Sequence, residues 1–268
     1  MKEFAGKNVL ITGGASGIGK IMCRLFLERH ARVIIWDIDQ QKMNETVSEL
    51  SASGNIAGYT VDISKSSDIR EMATRVKKEI GVVDVLINNA GIVVGKYFHE
   101  HSTVDILKTM EINASAPMLI SREFLEDMIN QDAGHICNIA SSGGLISNPK
   151  MSVYAASKWS LIGWSDSLRL EMEQLKKNVK ITTILPYYIN TGMFDGVQSK
   201  IKILDPEIAA LTIVKAIEKN KIMLTIPGYI YRVTKLGQAI LSTKAFDWLA
   251  GSVFGIYKTM EHFTGRKN

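Results

Sequence analysis

The chain alternates between two kinds of segment. Short apolar runs rich in β-branched residues recur at KNVLIT (7–12), RVIIWD (32–37), IAGYTVD (56–62), VDVLINN (83–89), HICNIAS (135–141), VKITTIL (179–185) and IMLTIP (222–227). Their length suits strands buried on both faces, which need no alternation of polar and apolar positions. Between them, apolar residues return every three or four positions: up to about Arg29, then over 40–52, 65–79, 103–111, 113–130 and 152–176. That period predicts amphipathic helices. The last forty residues also read as helical, and their Trp248, Leu249, Val253, Phe254 and Tyr257 are expected to pack on the sheet or on another subunit.

Strands that alternate with helices, without hairpin turns, require crossover connections. The expected fold is therefore α/β, a doubly wound parallel sheet of about seven strands with helices on both faces. Hydrophobic residues make up 46% and charged residues 22% of the 268, as in an ordinary globular protein with a large core. Cys23 and Cys137 have neither disulfide nor metal spacing and read as small buried hydrophobes. With no disulfide framework, no signal peptide and no run of 18 apolar residues, a cytoplasmic location is expected. The five histidines, His30, His99, His101, His135 and His262, lack a ligand spacing, so no metal is expected.

The net charge of +5 is modest and suggests no nucleic-acid partner. It is uneven, however: residues 219–268 carry eight basic and two acidic side chains. Such a tail can make a peripheral membrane contact, meet an acidic partner, or be a solvated face.

TGGASGIGK (12–20) joins the first strand to the first helix, with Gly13, Gly17 and Gly19 in the spacing G-x-x-x-G-x-G. A tight turn of this kind lets backbone N–H groups approach a pyrophosphate at a helix N-terminus. Asp37 ends the second strand 24 residues after Gly13, where an acid can bind the adenosine ribose of NAD or merely cap the next helix. The acid would repel the 2′-phosphate of NADP by about 1–4 kcal/mol per charge at about 4 Å. Ser16, not an arginine, occupies the middle of the turn, so NAD is expected and NADP less so.

Tyr154 and Lys158 stand four apart on a predicted helix, a spacing that places them on one face. A second such pair, Tyr231 and Lys235, shows that the spacing alone decides nothing. Only the first has a serine, Ser141, 13 residues upstream at the end of a predicted strand; position 218 is Glu218. With the glycine turn, NNAG (88–91), Asn113, Ser141 and Tyr154-x-x-x-Lys158 in this order, the chain resembles the short-chain dehydrogenase/reductase family.

The resemblance implies roles. Tyr154 would be the general acid/base, and Lys158 would lower its pKa and hold the nicotinamide ribose. Ser141 would bond the substrate oxygen, and Asn113 would organise a water chain. Gly13, Ser16, Gly17, Ile18, Gly19, Asp37, Asp62, Ile63, Asn89, Ala90, Gly91, Pro186, Ile189 and Thr191 would join Tyr154 and Lys158 in holding the cofactor, with Asn89 also bracing the sheet. The chemistry agrees: a free tyrosine titrates near 10, and a neighbouring ammonium favours its phenolate. PYYINTGMF (186–194) departs from the family's Pro-Gly, with Tyr187 in place of glycine, where ordinary backbone angles are expected.

The whole of 1–268 thus reads as one NAD(P)-binding Rossmann domain, with 187–215 as substrate loop and 228–268 as a helical C-terminal extension. Leu145, Met151, Tyr187, Met193 and Phe194, with Ile146 and Tyr188, would form an apolar pocket for a small hydrophobic alcohol or ketone. IIWDID, INNAGIV, PYYINTGMF and the tail resemble the branch acting on retinoids, hydroxysteroids and long-chain alcohols. Members of that branch often carry an amino-terminal membrane anchor, which is not expected here because the first strand begins at about Lys7. The family implies a homodimer or homotetramer pairing through the helices near 113–130 and 152–176. The alternatives are an NADPH-dependent carbonyl reductase and a non-catalytic dinucleotide-binding scaffold.

Overall fold

β1 (Asn8–Thr12) is the third strand of a seven-stranded sheet. The structure, a computed structural model, describes residues 3–265. Around β1 run β2 (Arg32–Asp37), β3 (Ile56–Thr60), β4 (Val85–Asn88), β5 (Gly134–Ile139), β6 (Val179–Pro186) and β7 (Met223–Ile226). All pairings are parallel and the order is β3-β2-β1-β4-β5-β6-β7.

The connecting helices are α1 (Gly17–Leu27), α2 (Gln40–Leu50), α3 (Ser66–Glu79), α4 (Thr103–Met110), α5 (Ala116–Asn130), α6 (Ser152–Gln174) and α7 (Pro206–Glu218). They form two layers because alternate residues of each strand point to opposite faces. On one face Val9, Ile11, Val33, Ile35, Val85 and Ile87 pack with α1 and α7. On the other, Leu10, Ile34, Trp36, Leu86 and Ile136 pack with α3, α5 and α6. Both sets are apolar, which is why the strands read as unbroken hydrophobic runs.

The element boundaries expected from the sequence hold to within a few residues, with two exceptions. Helices 103–111 and 113–130 are one rod interrupted by a π-type turn, Glu111–Ser115. The span 187–215 is not all loop, since α7 occupies its second part. Asp205 caps α7 by accepting from Ile208 N at 3.0 Å, and Pro206 supplies a preset first turn. Thirteen residues would be marginal as an isolated helix. Burying Ile213, Val214 and Ile217 against the sheet stabilises it by roughly 5–9 kcal/mol of transfer free energy, an upper bound.

α8 (Tyr229–Ile240) and α9 (Thr243–Trp248) follow β7. Of the two expectations for the tail, packing on the sheet does not hold for Trp248, Val253 and Phe254, which are 63%, 43% and 41% exposed and so leave a face for another subunit. The chain turns at Gly255, whose φ is +67°, and returns to bury Thr259 and Met260 against the substrate side. Two of the eight basic residues counted in the tail, Arg266 and Lys267, lie outside the described residues. Cys23 and Cys137 are free, fully buried and held above the usual thiol range by burial. No described helix is long and apolar enough to cross a membrane, and no metal-holding group of three His, Cys, Asp or Glu occurs among the described residues.

Candidate active site

From β1 the chain winds outward to β2 and β3, then crosses to β4 on the other side. The strand ends at that reversal leave a crevice, where open α/β sheets bind ligands. Here it is a cleft of about 310 Å³. Every residue expected to hold a dinucleotide lines it, from Gly13 and Asp37 through Asn89 to Thr191. Trp36, Ile38, Val61, Ile92 and Ala140 line it as well, which sequence reasoning missed. Each lies one to three residues from a residue that was expected, and that spacing was the available signal.

The glycine turn is held from behind. Thr12 Oγ1 accepts from Asn89 N at 3.0 Å and Ala90 N at 3.1 Å, and Asn89 Nδ2 donates to Thr12 O at 2.9 Å. Gly17 has φ +53°, which disfavours any side chain. At Gly19 the need is space, because a Cβ there would collide with the Gly13 carbonyl. The start of α1 is thus bare backbone facing the cleft, which fits a pyrophosphate.

Asp37 does not cap α2; Asp39 does, accepting from Lys42 N at 3.0 Å. The Asp37 carboxylate instead accepts from Ala15 N at 3.0 Å and Asp39 N at 3.1 Å, which fixes it at the cleft rim. Asn89 braces β1 against β4. Tying the sheet to its helices falls to Asn88, whose Nδ2 donates to Asn138 Oδ1 at 2.8 Å and Ser121 Oγ at 3.1 Å.

At the other end of the cleft Ser141, Tyr154 and Lys158 come together. Ser141 begins a short 3₁₀ turn after β5, and its Oγ accepts from Gly143 N at 3.0 Å. It lines the cleft together with Tyr154, whose ring lies 5.8 Å from Lys158 Nζ. Lys158 Nζ donates to Ile139 O at 2.9 Å. Tyr231 and Lys235 lie on α8, exposed and remote from the cleft walls.

The family model described as short chain dehydrogenase matches residues 7–202. The chain belongs to the short-chain dehydrogenase/reductase family. It falls in the retinol dehydrogenase branch: epidermal retinol dehydrogenase 2 of Mus musculus is 35% identical over 273 residues, covering 99% of this chain and 88% of that protein. A short chain dehydrogenase/reductase from Burkholderia phymatum, solved in complex with NAD, shares the fold at a TM-score of 0.82. It is 24% identical, over 89% of this chain and 95% of that one. A metagenomic short-chain oxidoreductase in complex with NADP is 28% identical, with a TM-score of 0.70, over 80% of this chain and 91% of its own. This short-chain dehydrogenase is accordingly an NAD(P)-dependent oxidoreductase acting on CH–OH groups.

In this dehydrogenase the protein groups alone do not make Tyr154 a base. Burial pushes its phenol up to about 12, and the group that pulls it down is Ser141, not Lys158. The reason is geometric: the Lys158 ammonium is turned to the Ile139 carbonyl, and burial lowers its own pKa to about 8. Asn113 is held by the backbone of the loop after β4. It sits in the π-type turn, its Oδ1 accepting from Ile92 N and its Nδ2 donating to Ile92 O, both at 2.8 Å, and to Ser157 Oγ at 3.1 Å. Its side chain holds the loop after β4 and is absent from the cleft wall.

The expected substrate wall divides into three. Tyr187, Met193 and Phe194 line the cleft. Met151 lines a second cavity of about 50 Å³ next to Ser141, together with Ile146, Asn148 and Tyr188. Leu145 lines neither; it packs with Ala140, Leu161 and Leu185, because its neighbour Ile146 takes the cavity side of the turn. Tyr187 has ordinary backbone angles, as expected for a residue replacing glycine; the left-handed turn falls at Gly192, φ +83°.

The returning tail closes this wall. Asn148 Nδ2 donates to Thr259 Oγ1 at 2.8 Å and to the Tyr188 hydroxyl at 3.2 Å. Thr264 N and Gly265 N donate to Asp195 O at 2.9 and 3.2 Å. Phe194 stands edge-on to both Tyr154 and Tyr188.

Proposed function

We propose that this enzyme interconverts a hydrophobic alcohol and its carbonyl, of retinoid, steroid or long-chain type, with NAD as the preferred dinucleotide. The observation that carries the reading is the Ser141–Tyr154 pair between a bare glycine turn and an apolar wall of Phe194, Met193 and Tyr187. The hydroxyls of Ser141 and Tyr154 hold the substrate oxygen, while the apolar wall excludes water and fits a hydrocarbon body. Tyr154 moves the proton at that oxygen. Ser141 favours the charged phenol, and Lys158 holds the nicotinamide ribose. An oxidised nicotinamide, when bound, supplies the hydride acceptor and a further positive charge beside the phenol. Asp37 at the rim favours ribose hydroxyls over a 2′-phosphate.

Oligomer formation through α5 and α6 is part of the reading, supported by the half-exposed Trp159 and Leu170 on α6. The test is NADH absorbance on a panel of retinol, hydroxysteroids and long-chain alcohols against sugars and polyols. Tyr154→Phe is expected to lose at least about 100-fold in kcat, with dinucleotide affinity and Tm unchanged. Turnover of polyols only, or full activity in Tyr154→Phe, would overturn the reading.

A further inference from the structure

The small cavity beside Ser141 has mostly apolar walls, Ile146, Met151, Phe194 and Ile201 among them. Asn148 also lines it and is only 9% exposed. Its Nδ2 donates to Thr259 Oγ1 at 2.8 Å and to the Tyr188 hydroxyl at 3.2 Å. Thr259 Oγ1 itself donates to Ile256 O at 2.9 Å, so it faces Asn148 as an acceptor and fixes which way the amide is turned. Both N–H donors of Asn148 are thus taken. Its Oδ1 is buried and accepts from no group in the protein. Folded chains rarely leave a buried acceptor unpaired.

Ser141, Tyr187 and Phe194 line both the small cavity and the cleft, so the two spaces meet beside the serine that holds the substrate oxygen. A volume of about 50 Å³ admits about one or two groups the size of a water molecule. That is too little for a hydrocarbon body, which the cleft takes, but enough for a short arm on the reacting carbon. The unpaired acceptor selects an arm that ends in a donor. The Cβ–Cγ torsion of asparagine is soft, so Oδ1 can turn to meet it. No carboxylate lines the cavity to pair with an ammonium, so the donor is a hydroxyl.

We propose that Asn148 sets specificity by accepting a hydrogen bond from a second hydroxyl, on the carbon next to the reacting one. The substrate is then a hydrophobic vicinal diol or its α-hydroxy ketone. The two differ by one hydride and one proton at the reacting carbon and its oxygen; the second hydroxyl is only held. This deepens the alcohol–carbonyl reading and rests on it.

The test compares decane-1,2-diol with decan-2-ol, which differ only in that hydroxyl. The wild type should favour the diol by about 10- to 100-fold in kcat/KM, mainly through KM. Asn148→Leu should bring the ratio close to one. Thr259→Val, which loosens the same network but leaves Oδ1 in place, should keep the wild-type ratio. Binding without turnover, read as the rise in Tm of Tyr154→Phe, should favour 1-hydroxydecan-2-one over decan-2-one. That measurement and the wild-type ratio need no change at Asn148, so they decide the matter even if Asn148→Leu does not fold. A wild-type ratio below about threefold, or one that Asn148→Leu leaves unchanged, would overturn the proposal and leave the alcohol–carbonyl reading intact. Equal loss in Asn148→Leu and Thr259→Val would also overturn it, by giving Asn148 a purely structural role. If neither alcohol reacts and neither ketone binds, the alcohol–carbonyl reading falls and the proposal with it.

Discussion

Replacing Asp37 by asparagine should change which dinucleotide the enzyme uses. The carboxylate is held in place by two backbone donors, Ala15 N and Asp39 N, at 3.0 and 3.1 Å, so it cannot swing away from an incoming 2′-phosphate. Two unit charges about 4 Å apart interact by about 1 kcal/mol in water and about 4 kcal/mol near a protein surface. Asp37 is half-buried at the cleft rim, so a repulsion of about 2–4 kcal/mol is expected. The amide is isosteric with the carboxylate and uncharged, so most of that penalty should vanish. The ratio of kcat/KM for NADP to that for NAD should rise about 30- to 1000-fold. Asparagine retains one acceptor oxygen, so one of the two backbone donors loses its partner. That costs about 1 kcal/mol and lowers Tm by about 2–4 °C. The assay is initial rate against each dinucleotide at saturating alcohol, with Tm as the control for folding. A ratio that moves less than about threefold, or a wild-type enzyme that already prefers NADP, would refute the electrostatic reasoning.

Gly19→Ala forces a methyl into the Gly13 carbonyl and should cost about 1–3 kcal/mol in stability and most dinucleotide affinity, measured by denaturation and by NADH fluorescence. Lys158→Met should abolish turnover yet stabilise the fold near pH 7 by up to about 3 kcal/mol, since burial lowers the lysine to about 8. The folded state releases that proton before the unfolded state does. Stability of the wild type relative to Lys158→Met should therefore rise between about pH 8 and pH 10.5, seen by urea denaturation across that range. Thr259→Val removes the hydroxyl shared by Asn148 and Tyr188, and should speed hydrogen exchange across residues 259–265 while sparing β1–β6.

The strands were legible because burial on both faces leaves a compositional mark that needs no tertiary knowledge. The cleft was legible because its chemistry requires particular residue types at short range: glycines in one turn, and Tyr154 and Lys158 on one helix. α7 lay inside a span assigned to a substrate loop, although Asp205-Pro206 is a strong start signal for a helix. Leu145 and Ile146 are adjacent and equally apolar, so only the 3₁₀ turn after Ser141 decides which one faces the cavity. The role of Thr259 depends on Asn148, 111 residues away, and no local pattern carries that. The Tyr154 pKa departs from expectation because i, i+4 spacing fixes proximity but not direction: Lys158 points to a carbonyl.

The closure of the substrate chamber by residues 259–265 has a consequence for how the enzyme comes into being. A ribosome makes the dinucleotide-facing residues, through Thr191, about 70 residues before it makes the segment that seals the alcohol side. At roughly 5–20 residues per second that interval is about 4–14 seconds. The residues that face the dinucleotide are therefore synthesised before the segment that closes the hydrocarbon side.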